Sequence, residues 1–217
     1  MARGTDFGGV HSSTDLHLIQ QKVDVQPAEP KLNLIEIPGA DGTKDLTEQP
    51  AGRVTFKDRE IEWTFALYPG DNWDDKHSEV SSALNGKRCR ITLDTDPNYY
   101  YVGRLIVSKY TVDRLLRQIT VKAICHPYKL KQAETTVTAN LTTTAKTLTF
   151  INGRKPVVPT ITVTAETVIA WNGSTYTISA GTRKFLDVEF QEGNNRMDAK
   201  VISGTGSITV VYQEGAL

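Results

Sequence analysis

Residues 59–104 read REIEWTFALYPGDNWDDKHSEVSSALNGKRCRITLDTDPNYYYVGR. In this stretch Ile61, Trp63, Phe65 and Leu67 alternate with Glu62, Thr64 and Ala66, the period-two pattern of a strand with one buried face. Pro69 and Gly70 turn the chain. Asp71 or Asn72 then caps a helix, because a short side-chain oxygen there accepts from a free backbone N–H. Trp73, His77, Val80 and Leu84 stand at i, i+4, i+7 and i+11, so they share one helix face. Gly86 sits where a helix stops in a left-handed residue. Cys89, Ile91 and Leu93 then resume a strand pattern. No other stretch carries a convincing helical period, so the fold class is mainly β with one α-helix.

Toward the N-terminus, 16–25, 31–37 and 52–56 read as strands. The segment 38–47 joins two of them with two glycines and two aspartates. Gly supplies positive φ and Asp bonds the backbone two residues on, so this is a structured turn rather than loose chain. Toward the C-terminus, Asp94 to Asn98 is a turn and a strand begins at Tyr99-Tyr100-Tyr101. Successive strand side chains point to opposite faces, so three tyrosines cannot build one stacking platform; at least one belongs to the core and the others to a rim or interface. Residues 109–112 and 116–125 read as strands flanking a charged turn at Asp113-Arg114, and Pro127 ends the run.

Composition then shifts. Between Thr135 and Gly181 the charged residues are Lys146, Arg154, Lys155 and Glu166, and threonine is abundant. Strands are expected at 135–139, 146–151, 160–164, 167–171, 175–179, 183–189 and 206–212. Turns are expected at Asn152-Gly153, Asn172-Gly173, Ala180-Gly181, Gly193-Asn194-Asn195 and Gly204-Thr205-Gly206. This divides the chain into 1–131, a β-sandwich or barrel-like domain with one helix and a projecting hairpin at 105–125, and 132–217, a second β-sandwich.

Lys plus Arg and Asp plus Glu each number 25 in 217 residues. The basic excess of a nucleic-acid binder is missing. No apolar run is long enough to span a bilayer, and no charged-then-apolar leader is read at the N-terminus. Cys89 and Cys125 have neither C-x-x-C nor His spacing. They read as buried thiols of a protein made in a reducing compartment, with a disulfide as the alternative.

The four histidines, His11, His17, His77 and His126, lie outside metal-ligand spacing. Asp71, Asp74 and Asp75 sit where carboxylates favour a helix N-terminus. Nucleophile elbows, phosphate loops and dinucleotide fingerprints are absent from the sequence. No catalytic, cofactor or metal site is therefore expected. Trp171 and Tyr176 flank the Asn172-Gly173 turn. With Arg183 they form a candidate sugar patch, though a cross-strand aromatic pair within a hairpin is the simpler reading.

Several segments together resemble the distal tail protein (Dit) family of long, non-contractile bacteriophage tails. They are FGGVHSST at 7–14, IPGADGTKDLTE at 37–48, the stretch quoted first and CHPYKLK at 125–131. In the second half, NGRKPVVPTITV at 152–163, EGNNRM at 192–197 and GSITVVYQEGAL at 206–217 continue the resemblance. What the resemblance implies is a structural protein rather than an enzyme. It would form a hexameric ring at the tail tip of a siphovirus or prophage. The N-terminal domain would close the ring through loops that reach neighbouring protomers. One ring face would meet the tail tube protein and the other the tail-associated protein. The C-terminal, galectin-like sandwich would point outward, toward receptor-binding proteins or the host surface. DNA would pass through the ring without specific binding, which suits near-neutral charge.

Head-to-tail closure needs two different sticky surfaces on each protomer. Two charged and apolar excursions are the candidates for inter-protomer contact: the 34–50 loop, with Pro38, Asp41, Asp45 and Leu46, and the 105–125 hairpin, with Asp113, Arg114 and Leu115. The competing expectations are a glycan-binding adhesion module and a cell-wall hydrolase; only scattered carboxylates speak for the latter.

Overall fold

The computed structural model describes residues 4–108 and 118–217. The chain divides into two compact units, Met1–Lys129 and Leu130–Leu217, each with its own hydrophobic core.

The first unit contains β1 (Thr5–Phe7), β2 (Leu18–Val25), β3 (Leu34–Glu36), β4 (Thr43–Asp45), β5 (Arg59–Leu67), α1 (Trp73–Leu84), β6 (Arg88–Leu93), β7 (Tyr99–Val107) and β8 (Gln118–Cys125). A short strand, β9 (Lys129–Lys131), lies at the boundary. Six of these strands form one antiparallel sheet in the order β1-β6-β7-β8-β5-β2. The alternation in β5 holds residue by residue: Ile61, Trp63 and Phe65 are completely buried, and the residues between them are half-buried. The two ends of the sheet come close enough for side chains to join them. The Thr5 hydroxyl on β1 donates to Gln20 on β2 at 2.7 Å and accepts from the Trp63 indole N–H at 3.0 Å. Phe7 meets Trp63 edge-on, with ring centroids 5.1 Å apart. The sheet is thus rolled into a barrel-like layer.

The helix starts at Asn72, whose side chain accepts from the Asp74 backbone N–H. Between the two expected caps, Asn72 is therefore the one used. Val80 and Leu84 are buried in the core of the unit, which at about 1.5–3 kcal/mol per side chain fixes the helix to the sheet. Trp73 stacks on His77, with centroids 4.8 Å apart, at the margin of that core. Gly86, at φ +76°, takes the left-handed conformation that stops the helix. One short stretch departs from expectation. Residues 52–56 form no strand; Phe56 makes only an isolated bridge to Pro30. Residues 109–117, which hold the expected turn of the 105–125 hairpin, lie outside the described residues.

The second unit contains β10 (Thr135–Leu141), β11 (Lys146–Asn152), β12 (Thr160–Val163), β13 (Thr167–Trp171), β14 (Ser174–Ile178), β15 (Gly181–Lys184), β16 (Gly193–Val201), β17 (Gly206–Tyr212) and β18 (Gly215–Ala216). Two four-stranded sheets, β10-β17-β12-β15 and β11-β16-β13-β14, enclose one core. Phe150 and Phe190 stack at its centre, and Tyr212 meets both edge-on.

The main correction falls here. Gly193-Asn194-Asn195 opens β16, a nine-residue strand paired on both sides, rather than forming a turn. Asn195, Met197, Ala199 and Val201 point inward. The Asn195 amide is satisfied there by the Gln191 backbone, which makes a buried asparagine tolerable in a strand. The strand expected at 183–189 is shorter and earlier, since β15 ends at Lys184.

Candidate functional site

Between β2 and β5 the chain leaves the sheet in a long excursion. Every residue from 29 to 45 is exposed. Within it β3 and β4 form a two-stranded hairpin that pairs with no other strand, in the register Leu34↔Asp45, Ile35↔Lys44, Glu36↔Thr43. An isolated two-stranded hairpin is marginal on its own, and this one is tied at its base. The Leu46 N–H donates to the Asn33 carbonyl at 2.8 Å, and the Asn33 N–H donates to the Thr47 hydroxyl at 3.0 Å. Thr47 is almost fully buried. Lower down, Lys31 N–H donates to Thr55 O and Lys57 N–H donates to Glu29 O. At the tip, Gly39 and Gly42 have φ of +80° and +76°, values that side chains strain to adopt.

This arm carries apolar residues that the described residues leave largely uncovered. Leu32, Leu34, Ile35 and Ile37 are each between 45% and 62% exposed. Leu34 and Ile35 point to opposite faces of the hairpin, so both faces are apolar. Large exposed side chains gathered this way mark an interaction surface. Pro38 and Asp41 stand at the exposed tip and Asp45 on β4, while Leu46 is half-buried at the base. The Thr47 hydroxyl and N–H bond the Asp45 carboxylate and hold its pKa below the usual range. Asp45 thus fastens the arm as well as charging it. The other contact candidates, Asp113, Arg114 and Leu115, lie outside the described residues.

The candidate sugar patch is not assembled. Trp171 is 5% exposed, its ring tilted against Phe190 in the core, so it has no free face on which a sugar could stack. Trp171 pairs with Ser174 rather than with Tyr176, and Tyr176 meets Phe185 edge-on instead. Arg183 stands on the other sheet and donates to the Ser179 carbonyl. The three tyrosines of β7 also have structural positions. Tyr101 belongs to the core and Tyr100 is buried on the opposite face. Arg90 lies over Tyr100, Arg59 over Tyr101 and Lys129 over Tyr99.

One arrangement escaped the sequence reading. The Ser13 hydroxyl lies 3.1 Å from His11 Nδ1, and His11 Nε2 lies 3.2 Å from Asp94. The composition is that of a hydrolytic triad, but its atoms are also hydrogen-bonded to the backbone. Nδ1 also faces the backbone N–H groups of Ser13 and Thr14 at 3.4 Å, so it is engaged in holding the turn. Asp94 accepts from Gly4 N–H at 2.7 Å as well. The cluster staples the N-terminal turn to the end of β6. His11 and Asp94 are 83 residues apart in sequence, which is why spacing did not suggest it. Among the described residues no three His, Cys, Asp or Glu side chains gather as metal ligands, and no helix is long and apolar enough to cross a membrane.

No family model matches the sequence, and no curated protein matches it. Among solved structures, the chain matches the crystal structure of the Dit protein (gp 19.1) of phage SPP1, described as a paradigm of the hub adsorption apparatus of phages that infect Gram-positive bacteria. The match covers 100% of both chains with a TM-score of 0.69 at 16% identity. The two chains share a fold throughout their length. A de novo designed double-stranded β-helix covers 38% of this chain at 15% identity, and its TM-score of 0.27 carries no weight.

Proposed function

We propose that this chain is a structural, non-catalytic protein of a siphophage tail tip, a distal tail protein whose six copies close into a ring. The observation that carries the reading is full-length fold likeness to the SPP1 protein, joined to an apolar arm that the protomer leaves uncovered. A head-to-tail ring needs two different contact surfaces on each copy, and such an arm supplies one of them. Residues 1–131 build the ring and residues 132–217 form a galectin-like module that serves receptor-binding proteins or the host surface. Pro38, Asp41, Asp45 and Leu46 belong to one contact arm, and Asp113, Arg114 and Leu115 to a second. One ring face docks on the tail tube protein and the other on the tail-associated protein, with DNA passing through the lumen. The protein assembles in the bacterial cytoplasm and ends in the virion, of an active phage or of a prophage.

Negative-stain microscopy and sedimentation of the purified chain test the ring. The expected result is a hollow particle of six copies. A monomer that persists at high concentration overturns the reading.

A further inference from the structure

The hairpin arm is half of a head-to-tail contact; the surface that receives it has to be on the same chain. On the outward face of β6 and β7, Arg88 stands directly opposite Arg104, and Arg90 follows two pairs along, opposite Val102. Like charges directly opposite each other on a sheet repel. The partners of these arginines leave the repulsion standing. Arg88 lies 2.9 Å from His126 Nε2, Arg104 donates to the Gly86 carbonyl and Arg90 lies over the Tyr100 ring. Lys122 on the neighbouring β8 is handled differently. Glu60 and Glu62 bond it at 2.7 and 2.8 Å and raise its pKa, so its charge is more than offset.

Beside the arginines are two uncovered aliphatic side chains. Ile106 and Ile124 are 45% and 40% exposed, and Ile124 is directly opposite Arg104. A shallow depression opens among Arg88, Arg104, Ile106 and Ile124, with Asp58 as the carboxylate on its rim. This face is basic and apolar. The hairpin is acidic and apolar: Glu36, Asp41 and Asp45 stand against Lys44, among Leu34, Ile35 and Ile37.

We infer that the outward face of β6, β7 and β8 is the seat for the β3–β4 hairpin of a second copy. The isoleucines of the face meet the aliphatic residues of the hairpin, and the arginines meet its carboxylates. This inference rests on the ring reading and adds the receiving surface to it.

Two disabled full-length chains test it. Leu34→Ser/Ile35→Ser/Glu36→Arg removes the arm and keeps the seat; Ile106→Glu/Ile124→Glu removes the seat and keeps the arm. All five positions are exposed, and circular dichroism with thermal melting checks that both variants fold. Arg88→Glu serves as a second seat variant if the first melts early. Mixed at equal concentration, the two chains have one working arm and one working seat between them. Sedimentation is expected to show a species of twice the 24.0 kDa chain mass, formed by neither alone and weakened by salt. A wild-type ring without that pair overturns the seat and leaves the ring. Absence of both overturns both. The pair without a wild-type ring supports the seat and removes the closed ring.

Discussion

β5 and β3 both carry large apolar residues and come to opposite ends. In β5, Ile61, Trp63 and Phe65 are completely buried; in β3, Leu34 and Ile35 are 49% and 45% exposed. The difference lies in the neighbours. β5 pairs with β2 on one side and β8 on the other, and its inward face shares a core with α1. Among the described residues β3 pairs with β4 alone, and no layer lies over either face. Apolar residues in a strand say that the strand seeks a cover. They do not say whether the cover comes from the same chain. In β5 the protomer supplies it; in β3 the described residues of the protomer do not.

Removing buried packing should do the most damage. Trp63→Ala deletes a completely buried indole and should cost about 3–5 kcal/mol in denaturant unfolding. A loss under 1 kcal/mol would mean that β5 is not the centre of the core. Thr5→Val keeps the shape of a completely buried side chain and strands the indole N–H of Trp63. Its cost should be about 1–3 kcal/mol by the same measurement.

A smaller effect is expected from Cys125. Burial pushes its thiol up to about 12, from 9.0, with Arg59 opposing; burial raises Cys89 as well. Because the folded value lies above the unfolded one, the stabilisation is intact below pH 9. It is lost as pH rises from there through about 12. Stability should therefore fall across that window, and less steeply in Cys125→Ala. Native protein should also react slowly with thiol reagents at pH 8, since the thiolate is the nucleophile.

The smallest change in protomer stability belongs to the arm. Leu34→Ser/Ile35→Ser should shift unfolding by no more than about 0.5 kcal/mol, as exposed substitutions do. Assembly, read by sedimentation, should nevertheless be lost. A melting temperature that drops with these substitutions would show the hairpin covered by its own protomer and would erase the contrast with β5.

Much of the fold was legible. The 59–93 strand–helix–strand unit, a cap at Asp71 or Asn72 and the Gly86 stop followed from periodicity and from residues with few conformational choices, and the structure chose Asn72. β16 was misread because its glycine and asparagines are turn formers and its outward residues are charged. The inward series Asn195, Met197, Ala199, Val201 was present but weak, and sheet pairing on both sides outweighed local preference. Trp171 was a plausible sugar platform from its turn-flanking position; the opposing sheet, which closes over it, was invisible in sequence. The 34–50 loop was visible as an excursion, but its lack of any cover was not.

Sequence alone determined the helix, several of its tight turns and the strands with strong alternation, because alternation, capping and positive φ are local matters of one to a few residues. It also determined that neither charge excess nor motif chemistry distinguishes this chain. Tertiary structure decided which apolar residues are spent inside the protomer and which are left outside. That depends on layers brought together from distant parts of the chain, as β1, β2 and β5 are at Thr5, and no local rule records it.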